Sequence, residues 1–137
     1  SSGSRPIDDE QQHVLQSLRD RFGTTVLIHT DNFCDPKVVA DLLLNLRDCE
    51  MGSEIVGFFN LAATTKDGLF DKMDATSWAN VFAAKRNITE NFSITFGHTD
   101  FAELTSRLRY FVCISSVVVE RGNAGQCNYA SANATMV

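Results

Sequence analysis

Three uninterrupted apolar runs, separated by stretches of helical periodicity, constrain the fold of this 137-residue chain more than any other feature. The runs are Thr24 to His29 (TTVLIH), Ile55 to Asn60 (IVGFFN) and Tyr110 to Ser116 (YFVCISS). None alternates apolar with polar residues as a strand with one wet face would, so each is predicted as a strand covered on both sides. The segments around them read as helices. Asp8-Asp9-Glu10 introduces one in which Val14, Leu15, Leu18 and Phe22 recur at helical spacing, with Gly23 as its stop. Asp35-Pro36 opens a second, carrying Val38, Val39, Leu42, Leu43 and Leu46. A polar loop, Thr64-Thr65-Lys66-Asp67-Gly68, leads through Asp74 into a third that begins near Ala75. The Gly-rich stretch Arg121-Gly122-Asn123-Ala124-Gly125 precedes a fourth, the start of a helix from Asn128 to Met136.

Buried strands alternating with helices belong to a parallel sheet covered on both faces, with right-handed crossovers between strands. The expected fold class is therefore α/β, a partial Rossmann-type parallel sheet of three strands flanked by helices. With no internal repeat and no low-complexity tract, residues 1–137 read as one domain. A chain that is 44% hydrophobic and 9% aromatic can bury a core, which excludes disorder. The net charge of −5, with no Lys/Arg cluster larger than a pair, argues against nucleic acid as a partner. No apolar stretch approaches the roughly 18 residues of a membrane span, and the N-terminus lacks a basic start followed by an apolar block. A soluble, cytoplasmic protein without a membrane partner is expected. Cys34, Cys49, Cys113 and Cys127 lie far apart with no C-x-x-C and no histidine at ligand spacing, so they are expected to be buried free thiols, with no metal site. Glycosylation sequons at Asn87, Asn91 and Asn133 are coincidences in such a context.

Two features raise the question of chemistry. In the helix that starts near Ala75, Trp78, Val81, Phe82, Ile88 and Phe92 form one apolar stripe, and Lys85 lies in the middle of it. An inward lysine loses hydration, so Lys85 either snorkels past its neighbours or is placed for chemistry. In a doubly wound sheet, ligands bind beyond the carboxyl ends of the strands, here Asn60 to Thr65 and Ser115 to Val118. Ser116 precedes Tyr129 by thirteen residues, across a glycine-containing turn. A strand-end hydroxyl and a helix-start phenol could converge there on one bound carbonyl. Equally, Ser116 could be a cap and Tyr129 a half-buried amphipathic residue.

The segments Gly57-Phe-Phe-Asn-Leu-Ala62, Asp67-Gly-Leu69, Lys85, Phe111-Val-Cys-Ile-Ser-Ser-Val117 and Arg121-Gly-Asn-Ala-Gly-Gln-Cys-Asn-Tyr-Ala-Ser-Ala-Asn133 together resemble the β-ketoacyl reductase domain of animal fatty acid synthase. The last of them looks like the active-site segment of short-chain dehydrogenases/reductases. Most of those enzymes place a lysine four residues after the tyrosine, whereas this chain has Asn133 there. In the synthase-type reductases lysine and asparagine exchange places, with the lysine on the helix before the serine strand, which matches Lys85. The resemblance thus answers the puzzle of the inward lysine.

The resemblance implies NADPH-dependent reduction of a β-ketoacyl group on acyl carrier protein to the β-hydroxyacyl form, within a larger multienzyme that is homodimeric in this family. It implies catalytic roles for Lys85, Ser116, Tyr129 and Asn133. Tyr129 would protonate the ketone oxygen, Ser116 would hold that oxygen, Lys85 would bind the nicotinamide ribose and favour the ionised phenol, and Asn133 would order the groups that return the proton. Cofactor contacts carry over to Asn32, Phe33, Asn60, Leu61 and Ala62, as well as to Lys85 and Tyr129. Arg5, with a one-residue gap in the match, would pair with the ribose 2′-phosphate; without the gap that place falls to Gly3.

No G-x-G-x-x-G occurs anywhere in the chain. The expectation is a partial ketoreductase domain lacking the N-terminal Gly-rich strand–helix unit and the C-terminal strands and lid, and inactive when isolated. The rival readings are the ketoreductase of a polyketide synthase and a structural reductase remnant without catalysis.

Overall fold

A computed structural model describes residues 8–49 and 54–136. The chain divides into two compact units, Ser1–Asp31 and Asn32–Val137.

The first unit is built on α1 (Asp9–Phe22), and its ends are set by local chemistry. Asp8 caps it, accepting from the Gln11 backbone N–H at 2.8 Å, while the Gln11 side chain accepts from the Asp8 N–H at 3.2 Å. Gly23 ends it with φ +62°, the left-handed conformation that glycine adopts without a Cβ penalty. Thr24 to His29 do not form the expected strand: they follow as extended chain with no ladder partner among the described residues. A strand buried on both faces needs neighbours on its edges and cover on its faces, and here Leu27 and Ile28 stay exposed. The segment is tied back to α1 by Arg19, whose guanidinium donates to the Val26 carbonyl at 3.2 Å.

The second unit holds the sheet. Its first helix, α2 (Pro36–Asp48), starts where Asp35 accepts from the Lys37 N–H at 2.9 Å and Pro36 occupies the first turn, and it buries Val39 and Leu43. Strands β1 (Gly57–Asn60) and β2 (Tyr110–Cys113) pair in parallel, with Gly57 opposite Tyr110 and Asn60 opposite Cys113. The α/β class with a parallel sheet therefore holds, with two strands rather than three. Both strands are shorter than their apolar runs. Ile55 leaves the ladder to donate to the Leu104 carbonyl at 2.7 Å, and after the Ile114 N–H bonds the Asn60 carbonyl at 3.0 Å the chain turns toward a helix.

The crossover between the strands contains α3 (Ala75–Phe82) and α4 (Ile88–Phe96), joined without a break by a π turn, Ala83–Asn87, in which the Ile88 N–H reaches the Ala83 carbonyl. Two short helices follow β2, α5 (Val118–Arg121) and α6 (Cys127–Ala134), the latter displacing the expected span of Asn128 to Met136. Helix α6 packs against α3, α5 and the π turn.

Aromatic rings join helix to sheet. Phe58 of β1 meets Phe92 at 4.5 Å, Phe111 at 4.8 Å and Phe96 at 5.9 Å between centroids, pairs that add to the area term by about 0.5–1.5 kcal/mol each. Leu43, Phe101 and Leu104 form a second cluster beside Ile55 and Phe96. The four cysteines are free and half-buried rather than fully buried, and burial pushes the Cys34 thiol up from its ordinary pKa.

Asp74 caps α3 by accepting from the Ser77 N–H at 2.6 Å, and that hydrogen bond holds its carboxyl below the usual carboxylate range. A depressed pKa gives stability that is complete above the ordinary carboxylate range and is lost as pH falls through the lowered value. Asp74→Ala should therefore lower the melting temperature at pH 7, and the gap from wild type should close in acid. A gap that stays constant as the pH falls through that range would show that the ionised cap contributes nothing.

Candidate active site

The carboxyl end of β2 and the π turn carry the groups singled out by sequence. Lys85 sits within the π turn with 2% of its surface exposed, so it does not snorkel. Its Nζ donates to the Ile114 carbonyl at 2.7 Å and stands 6.0 Å from the centroid of the Tyr129 ring. Among the described residues no carboxylate pairs with it. A buried ammonium without a counter-ion is expensive, and one carbonyl and a ring face offset only part of that cost. An ammonium has three N–H donors, so donors remain beyond the one given to Ile114.

Tyr129 is held by the way α6 begins. The loop before α3 is pinned to the entrance of α6 at three points. Gly68 N–H donates to the Gly125 carbonyl at 2.9 Å, Gln126 Nε2 to Asp67 at 3.0 Å, and Asn128 Nδ2 to the Lys66 carbonyl at 2.9 Å. Asn128 is fully buried and its Oδ1 accepts from the Tyr129 N–H at 2.7 Å. Gly125 takes φ +78°, and a Cβ there would lie 3.5 Å from the Gly68 backbone.

One turn beyond Tyr129, Asn133 is fully buried. Its Nδ2 donates to the Tyr129 carbonyl at 2.8 Å, and its Oδ1 has no hydrogen-bond partner among the described residues. The Asn133 carbonyl accepts from Ser115 Oγ at 3.5 Å, which ties α6 to the strand end. Ser116, half-buried, lies two residues past Ile114, and its Oγ accepts from the Val118 N–H at 3.3 Å. The structure thus brings Lys85 to Tyr129 and ties Asn133 to Tyr129 and to Ser115, while the Ser116 hydroxyl engages the turn into α5.

The remaining candidates divide by side chain. Asn60 is buried at 3% exposure, with its amide bonded to protein groups: Nδ2 to the Ala84 and Lys85 carbonyls and Thr89 Oγ1, and Oδ1 from the Ala62 N–H at 3.0 Å. Leu61 is exposed and Ala62 half-buried, so any contact at this strand end beyond Asn60 comes from the backbone and these two residues. Asn32 is exposed and turns its Oδ1 to the Cys34 N–H at 3.3 Å. Phe33 is anchored to α4 through its carbonyl, which accepts from Asn91 Nδ2 at 3.0 Å, and its ring, 5.7 Å from that of Phe92. Arg5 and Gly3 lie outside the described residues. The sequence pattern did not single out Thr89 or the Ile114 carbonyl; of the two, only Thr89, four residues after Lys85 on the same helix, carried a spacing signal.

The donor set fits a ribose and its neighbouring hydroxyls: a buried ammonium with donors to spare, and a buried amide oxygen, Asn133 Oδ1, that lacks a donor.

A family model described as the KR domain matches residues 1–136. The chain belongs to the KR domain family. KR domains are ketoreductases of short-chain dehydrogenase/reductase type, with a Rossmann-like fold and a nicotinamide cofactor. The KR domain is similar to part of the highly reducing polyketide synthase easB of Emericella nidulans, with 32% identity over 131 residues, 96% of this chain and 5% of that protein. The 3-oxoacyl-[acyl-carrier-protein] reductase FabG of Salmonella typhimurium is 32% identical over 106 residues, 77% of this chain and 41% of that protein. The highly reducing polyketide synthase alnA of Emericella nidulans is 28% identical over 132 residues, again 96% of this chain and 5% of that protein. The chain spans less than half the length of each of these relatives.

Because Gly125 holds a left-handed conformation at the joint that seats Tyr129, Gly125→Ala should cost about 1–2 kcal/mol from backbone strain alone. Thermal melts should register this as a drop of several degrees; an unchanged melting temperature would show that the joint accepts a side chain.

Proposed function

We propose that this KR domain reduces a β-ketoacyl thioester, presented on an acyl carrier protein, to the β-hydroxyacyl form, as one domain of a larger multienzyme. The observation that carries the reading is the buried, unpaired Lys85 ammonium 6.0 Å from the ring of Tyr129, on the family's two catalytic segments. NADPH, when bound, supplies the hydride. Tyr129 gives its proton to the ketone oxygen, and Ser116 donates a hydrogen bond to the same oxygen by turning its hydroxyl, whose present acceptor role leaves the O–H free to do so. Lys85 directs its remaining N–H donors to the nicotinamide ribose, its ammonium standing beside the Tyr129 ring. Asn133 Oδ1 accepts from the hydroxyl or water that returns the proton to Tyr129. Asn32, Phe33, Leu61 and Ala62 would contact the cofactor, and Asn60, whose amide is taken up by protein groups, would fix the strand end that carries Leu61 and Ala62.

The wider setting follows from the same reading: a cytoplasmic, homodimeric multienzyme whose other domains elongate and carry the chain. The motif resemblance favours an animal-type fatty acid synthase. The named relatives favour a second setting, a reducing polyketide synthase. Product analysis on the intact multienzyme separates the two, a saturated acyl chain marking the first and a partly reduced polyketide the second.

No Gly-rich phosphate loop occurs in these 137 residues, so the isolated chain should bind NADPH weakly and turn over little or not at all. Fluorescence titration checks this, and tight binding by the isolated chain would overturn it. In the full-length protein Tyr129→Phe should lower ketone reduction by about 10²–10⁴-fold, the range of general acid catalysis, while leaving NADPH binding nearly unchanged. Turnover equal to wild type would remove Tyr129 from the acid role.

A further inference from the structure

The helix that bears Lys85 widens to a π turn at the lysine itself. Single π turns inside α-helices are rare and gather at functional sites, because the i→i+5 pattern disturbs the carbonyls that α-helical N–H groups would otherwise satisfy. Two side chains attend to those carbonyls here. Asn60 Nδ2, from the end of β1, lies 3.4 Å from the Ala84 carbonyl and 3.2 Å from that of Lys85. Thr89 Oγ1 donates to the Lys85 carbonyl at 2.7 Å and accepts from Asn60 Nδ2 at 2.9 Å. The loop closes through the strands: the Asn60 carbonyl accepts from the Ile114 N–H at 3.0 Å, and the Ile114 carbonyl accepts from Lys85 Nζ at 2.7 Å. Asn60 therefore grips Lys85 at both ends, the main chain through its amide and the ammonium through Ile114.

We propose that Asn60 and Thr89 are positioning residues that clamp the π turn and so aim the Lys85 ammonium at Tyr129. The role in turnover rests on the assignment of Lys85 given above; the clamp on the turn itself does not. Neither side chain touches substrate or cofactor in this account. Their effect is on where the ammonium stands, and small displacements of a catalytic group weigh heavily on rate. Thr95 supplies an internal control: it lies nearly two turns further along the helix, is more deeply buried than the half-buried Thr89, and donates its hydroxyl to the Asn91 carbonyl at 2.7 Å.

The test compares Thr89→Val, Thr89→Ser, Thr95→Val and Lys85→Met in the full-length protein by two readouts. One is steady-state ketone reduction; the other is acetylation of Lys85 by limiting acetic anhydride, followed by peptide mass spectrometry. Thr89→Val should lower kcat about tenfold or more with KM within about twofold, and Lys85 should become acetylated faster. Thr89→Ser, which keeps the hydroxyl, should restore both, and Thr95→Val should match wild type. If Thr89→Val does not fold, Thr89→Ala takes its place. Wild-type turnover in Thr89→Val beside an inactive Lys85→Met would overturn the clamp, as would equal losses in Thr95→Val. If Lys85→Met itself turns over normally, the catalytic reading of Lys85 fails, and the clamp is then judged by acetylation: undiminished protection of Lys85 in Thr89→Val overturns it, and faster labelling upholds it.

Discussion

An ammonium removed from water and given a carbonyl at 2.7 Å, with a phenol ring at 6.0 Å and no carboxylate, costs the fold free energy that apolar packing elsewhere must offset. Replacing such a charge by an apolar side chain is often neutral or stabilising, so stability alone gives no reason for a lysine at this place in an apolar stripe. The surrounding structure is organised around keeping it there. The parallel pairing of β1 and β2 sets Asn60 opposite Cys113, which puts the Ile114 carbonyl one residue further on, within reach of Nζ. The aromatic cluster of Phe58, Phe92, Phe96 and Phe111 fixes the helix on the sheet, and the π turn directs the lysine inward.

The phenol is positioned from the other side. Helix α6 is too short and too polar to hold its place by burial alone, and its entrance is fastened by backbone and amide hydrogen bonds to the loop at Lys66 to Gly68. Buried Asn128 joins that loop to Tyr129, and buried Asn133 joins Tyr129 to Ser115. Buried amides are stable only when their hydrogen bonds are met, and Asn133 Oδ1, a buried side-chain oxygen without a partner among the described residues, is the acceptor that the proposed chemistry uses.

Much of this was legible in the sequence, because it depended on local rules. Gly23 stopped α1, Asp35-Pro36 started α2, and the stripe from Trp78 to Phe92 marked one long helix with a lysine on its inner face. The runs at residues 55–60 and 110–116 became strands because each had the other to pair with. Thr24 to His29 was also a short apolar run but has no ladder partner among the described residues, so propensity alone did not produce a strand there. The π turn was not legible, since the side chain that meets its carbonyls is that of Asn60, a residue twenty-five positions away from Lys85. Ser115 was legible at the strand end, but its partner was not, because that partner is a backbone carbonyl on α6.

The most direct test of the central claim is turnover of Lys85→Ala in the full-length protein, measured with and without added ethylammonium. The account predicts a loss of about 10²-fold or more, partly restored by the amine, because a positive charge at that point beside the phenol is what the reaction requires. Turnover equal to wild type without any amine would contradict it.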